Sequence, residues 1–98
     1  MAKKQKNSIV QNNLTECLVC FTTRNIHIHH VFFGTANRKQ SDKYGCIVAL
    51  CQEHHTGNSG VHHNKELDTY IKQLAQKQFE SVHGTREDFM QAFGKNYL

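Results

Sequence analysis

Two short pairs of residues carry the clearest chemistry in this sequence: Cys17-x2-Cys20 in "ECLVC" and Cys51-x2-His54 in "LCQEH". Close pairs separated by a longer insert build tetrahedral zinc sites, because each pair bites the ion from one tight turn. Thiolate and imidazole donors favour zinc over magnesium or calcium. The 30 residues between the pairs exceed the dozen or so of a DNA-reading Cys2His2 finger. They leave room for a strand, a loop and a second strand. The plainer alternative is a set of free buried cysteines, common in reduced cores. Cys46, within the apolar "CIVAL", is expected in the core rather than on a metal.

Seven of the eight histidines lie in "NIHIHHVFFG" and "LCQEHHTGNSGVHHNKELD". With His54 on zinc, His29, His30, His55, His62 and His63 remain. A knuckle that joins residue 51 to residue 17 sends His55 toward the strand bearing His29 and His30. Imidazoles gathered there can divide two tasks: some bind a divalent metal, and a neutral one takes a proton from water. Metal and general base together suit phosphodiester hydrolysis, since the metal offsets charge on the phosphoryl and leaving oxygens. His62 is either a third ligand of that metal, part of a second zinc site, or a solvent-facing residue of a first helical turn. His63 and His27 are read as ordinary surface or hydrogen-bonded histidines.

The elements that must position these groups can be read from periodicity. "NIHIHHVFF" is rich in β-branched and aromatic residues and reads as a strand. Alternation sets Ile26, Ile28, His30 and Phe32 on one face, with His27, His29, Val31 and Phe33 on the other. "GTANRKQSDKYG" reads as a polar loop bracketed by Gly34 and Gly45, "CIVAL" as a buried strand, and "HTGNSG" as a turn. Asn64 caps an expected helix from Lys65 to about His83, whose apolar stripe is Leu67, Ile71, Leu74, Ala75, Phe79 and Val82. Thr85 and Asp88 form a capping box for a short last helix pairing Phe89 with Phe93. The expectation is one α+β domain over residues 14–98, after a flexible basic tail at 1–13.

At 98 residues and 38% apolar content, the core is thin enough for a structural metal to matter. No apolar run reaches the roughly 20 residues of a membrane span, and the N-terminus lacks a signal-peptide pattern. A soluble cytoplasmic location follows as an expectation, and a reducing one favours metal over disulfides. The net charge of +4 suits a nucleic-acid partner. Arg38, Lys39 and Lys43, with Lys3, Lys4 and Lys6 of the tail, are candidates for phosphate contacts.

"HIHHVF", an insert, then "LCQEHH" also resembles the HNH endonucleases, the ββα-metal group. The wider run to "GVHHNKELD" and "FGKNYL" is similar to small phage and prophage nucleases of the recombination-enhancement (Ref-like, RecA-dependent) group, across about residues 17–98. The resemblance implies a zinc-stabilised ββα-metal, treble-clef-like core with a long C-terminal helix and a short final one. It implies a DNA-cutting or nicking enzyme in which His30 is the general base and His29 and His55 hold a catalytic magnesium, manganese, nickel or zinc. It also implies a recombinase filament as a further partner. Two departures stand out. His29 replaces the usual Asp, which makes the site softer and shifts preference from magnesium toward zinc, manganese or nickel; Asn64 or a water would restore an oxygen ligand. The usual central Asn is missing, so its positioning role falls to Asp42, Tyr44 or the backbone. The alternative is a non-catalytic zinc-knuckle module that binds DNA or protein.

Overall fold

The computed structural model describes residues 7–98 and shows an α+β domain in the order β1 (Ile26–His30), α1 (Thr35–Tyr44), β2 (Ile47–Cys51), α2 (Gln52–His55), α3 (Lys65–Val82) and α4 (Arg86–Phe93). β1 and β2 pair antiparallel, from Ile26 opposite Cys51 to His30 opposite Ile47. His27 and His29 therefore share a face with Leu50 and Val48, and those two apolar side chains join the main core. Every residue of β2 is buried, as expected for a continuous apolar strand. β1 is shorter than the run to Phe33 suggests. After His30 the chain turns inward, and Val31 and Phe32 enter the core, where Phe32 meets Phe89, Phe93 and Tyr97.

The backbone edge of β2 not used by β1 is covered by the segment before the first cysteine pair. Ser8 Oγ donates to the Ile47 carbonyl, the Ala49 N–H donates to Gln11 Oε1 at 2.8 Å, and the Leu18 N–H donates to the Ala49 carbonyl at 2.9 Å. Residues 8–11, expected to belong to the tail, thus form a strap that hides a strand edge, with Ile9 and Val10 packed against the core. Lys3, Lys4 and Lys6 lie outside the described residues.

The stretch "TANRKQSDKY", expected to be a loop, is a ten-residue helix, α1. It has no apolar stripe for periodicity to find. Its buried residue is Ser41, whose Oγ donates to the Phe32 carbonyl and accepts from the Phe32 N–H, while the half-buried Tyr44 packs on Phe79 and Phe93. The two glycines are its ends. Gly45 takes the left-handed C-terminal conformation at φ 75°, and a Cβ there would sit 2.9 Å from the Asn7 carbonyl oxygen, so the strap also needs glycine.

α3 and α4 match their sequence signals closely. Asn64 accepts from the Leu67 N–H at 3.1 Å, and Thr85 and Asp88 form both halves of a capping box. Ile71, Ala75 and Phe79 are buried along the expected stripe, whereas Val82, the last residue of the helix, is largely exposed. Gln76, absent from that stripe, is fully buried and bonds Glu80, Asn96 and the Tyr97 backbone. Among the described residues no helix is long and apolar enough to cross a membrane.

Candidate metal centres

The two cysteine pairs come together as their spacing predicts. Cys17, Cys20, Cys51 and His54 each place a ligand atom within 4.8 Å of the others. His54 Nδ1 lies 3.2 Å from Cys51 Sγ and 3.6 Å from Cys17 Sγ, and the sulfurs of Cys20 and Cys51 are 3.8 Å apart. That sulfur separation is far beyond a disulfide bond, and the distances suit ligands around one tetrahedral ion. Two turns build the centre. In the first, the Phe21 N–H donates to the Cys17 carbonyl, and in the second, β2 runs directly into the single turn α2.

The sulfurs are electrically poised for a cation. Burial pushes the Cys17 thiol up, but the backbone N–H groups of Cys20, Cys51 and Val19 outweigh it and bring it down to about 6. For Cys20 the Thr22 N–H pulls downward, yet burial and the sulfurs of Cys17 and Cys51 prevail and raise it. One thiolate forms readily and discourages its neighbour, a conflict that a dication resolves. Cys46 is different. It is fully buried, burial pushes its thiol up to about 12, and it belongs to the core as expected.

A second group lies on the core-facing side of β1. His29, His55 and His62 also place ligand atoms within 4.8 Å of one another. Their ring centres form a near-regular triangle: 5.2 Å for His29 to His55, 5.6 Å for His29 to His62, and 5.1 Å for His55 to His62. His29 is only 3% exposed, and its Nε2 is buried without a hydrogen-bond partner among the described residues. An orphaned buried nitrogen facing two further imidazoles fits a metal ligand, because leaving such a group unpaired is costly. Burial first, and then His55, His62, His30 and Lys72, bring His29 down to about 3, while burial, His62 and His27 lower His55. Both are thus held in the neutral, metal-binding form. His62 is exposed, so the triangle opens to solvent on that side.

α2 links the two centres, since His54 belongs to the first and His55 to the second. The loop after it doubles back, with the Val61 N–H donating to the His54 carbonyl at 2.9 Å. Gly60 passes so close to α2 that a Cβ would lie 2.7 Å from the His55 carbonyl carbon and oxygen. That close passage brings His62 to the triangle.

His30 is not part of the triangle. Strand alternation turns it to the opposite face of β1, where its Nε2 sits 2.9 Å from Asp42 Oδ1 of α1. Asp42 was one of the groups expected to stand in for the missing Asn. Arg38, Lys39 and Lys43 are exposed, and Arg38 and Lys39, four and three residues before Asp42, share its side of α1. His63 is exposed, in keeping with its plain reading. His27 is not ordinary: its Nδ1 lies 3.0 Å from Nδ1 of His55, with the rings edge to face. The signal for it was present in the alternation, which put His27 on the same face as His29. No family model, curated protein or solved structure matches this chain.

Proposed function

We propose that the protein is a metal-dependent DNA endonuclease of the HNH type that hydrolyses phosphodiester bonds, nicking or cutting its substrate in a recombination setting. The observation that carries this reading is the orphaned Nε2 of His29 facing His55 and His62 beneath a solvent-open edge. The order β1, α1, β2, α2 supports this reading, since it holds two paired strands followed by a helix, with α1 inserted between the strands. Zinc suits the Cys17, Cys20, Cys51 and His54 set, where it would act as a clamp and not as a reagent.

His29, His55 and His62 would hold the second ion, and three imidazoles with no carboxylate favour zinc, manganese or nickel over magnesium. A divalent ion bound there supplies Lewis acidity to the phosphoryl and leaving oxygens. The resemblance makes His30 the proposed general base, although strand alternation places it on the face of β1 away from the triangle. Asp42 engages its Nε2, which orients the ring and leaves Nδ1 for a proton from water. Arg38, Lys39 and Lys43, beside Asp42, would hold the DNA backbone without reading its sequence. A recombinase filament would be the partner that presents the DNA.

A second reading, a two-metal module that binds DNA or protein without cutting it, draws support from the position of His30 on the opposite face of β1 from the triangle. Metal analysis together with plasmid nicking separates the two. The nuclease reading expects two ions per chain and nicking with manganese or nickel. It also expects His29→Ala to lose one ion and all activity, and His30→Ala and Asp42→Asn to keep both ions while losing at least about a hundredfold in rate. A protein carrying both ions that leaves plasmid covalently closed with every metal would sink it.

A further inference from the structure

We propose that Phe33, Lys72, Tyr97 and Lys95 form a track for single-stranded nucleic acid that leads away from the three-histidine centre, with Phe33 stacking the unpaired base next to that centre. The proposal rests on reading the triangle as the place where a phosphodiester is held. Phe33 follows two fully buried residues, Val31 and Phe32, yet is itself 49% exposed. Its ring centre lies 6.3 Å from that of His29 and 6.0 Å from that of His62, so a large aromatic stands at the rim of the triangle. Lys72 places its ammonium 4.4 Å from the Phe33 ring centre and 5.5 Å from that of Tyr97. Lys95 lies 5.3 Å from the Tyr97 ring centre. Aromatic, cation, aromatic and cation thus alternate in sequence outward from His62.

Such alternation is the pattern by which proteins bind unpaired strands, with rings taking base faces and cations taking the phosphates between them. Lys72 is paired with Asp68 at 2.8 Å and its side chain is only 14% exposed, so it braces the two rings, and the exposed Lys95 is the cation open to a phosphate. The Gln73 amide donates to the Tyr97 carbonyl at 3.0 Å and the Tyr97 N–H donates to Gln76 at 2.8 Å, which anchors the second ring equally well. A duplex keeps its base faces stacked inside and would find only the charges, so the rings select for an unpaired strand. The net charge of +4 agrees in sign with this partner.

The chain has no tryptophan, so Phe33→Trp introduces a single tryptophan at the rim, which can be excited apart from the three tyrosines. The zinc-loaded full chain of that variant is titrated with a short single-stranded oligonucleotide, with an abasic strand of equal length, and with the matching duplex. The expected result is strong quenching by the single strand and little by the other two. Phe33→Ala, and Phe33→Leu as a variant that keeps apolar volume, should weaken single-strand binding roughly tenfold while leaving duplex binding unchanged. Their metal content and circular dichroism confirm the fold. Equal binding of normal and abasic strands, or single-strand binding that survives both variants, would overturn the track. So would a change of oligomeric state in Phe33→Ala, which would mark this ring as a contact between copies of the chain. Nicking activity with base-independent binding refutes the track alone, whereas base-dependent binding without nicking refutes hydrolysis and leaves the track.

Discussion

His29 concentrates the chemistry of this protein into one side chain. Its imidazole goes from an ordinary value of 6.5 in an unfolded chain to about 3 in the fold. Below about pH 6.5 the unfolded, metal-free chain takes up a proton that the folded chain refuses, so stability is complete above that pH and is lost as pH falls toward 3. The metal-free protein should therefore lose up to about 1.4 kcal/mol per pH unit across this window. Denaturant midpoints measured from pH 7.5 down to pH 5 should fall, and His29→Gln should flatten the fall; an equally steep profile in that variant would exclude His29 as its origin. His27 acts through its neighbour. The 3.0 Å contact between His27 Nδ1 and His55 Nδ1 orients the His55 ring. His27→Ala should weaken metal binding at the triangle by about ten- to a hundredfold with the cysteine centre intact, as read by competition with a chelator. The His29 and His55 doublets were legible because clustered imidazoles are rarely ornamental. His27 belongs to no doublet, and its partner 28 positions away becomes visible only when β1 meets α2.

At the scale of elements, α2 matters out of proportion to its single turn. Its two terminal histidines serve different centres, so the cysteine site fixes the helix that presents His55. Disruption should consequently be one-sided. Cys20→Ser should reduce metal at both centres, whereas His62→Ala should empty only the triangle; retention of triangle metal in Cys20→Ser would show that α2 holds without its clamp. The capped helices α3 and α4 were readable because caps and apolar stripes are local signals. α1 was not, since it is polar on nearly all sides and its packing depends on two residues, Ser41 and Tyr44, at its far end.

Across the whole molecule, the pairing of Cys17 and Cys20 with Cys51 and His54 was legible from spacing alone, and so was the α+β order. What spacing did not disclose is how the ends are used. The strap at residues 8–11 covers β2, and the closing residues dock on α3. Neither carries a periodic signal, because the strap bonds the backbone of β2 and the closing residues bond the Gln73 and Gln76 side chains, all far away in sequence. Deleting residues 96–98 should leave the fully buried Gln76 carbonyl oxygen without its donor, the Tyr97 N–H, at a cost of about 1–3 kcal/mol. Thermal melting of the truncated chain should show the drop, and an unchanged midpoint would mean that water replaces the lost donor.

The Gln76 clasp also bears on how the protein can be handled. A fusion partner or purification handle joined at Leu98 pulls on a segment whose amides are already spoken for, and it crowds Tyr97 and Lys95 as well. Labels and surface tethers are better attached ahead of the strap, where a linker added before Asn7 leaves the docked carboxyl end in place.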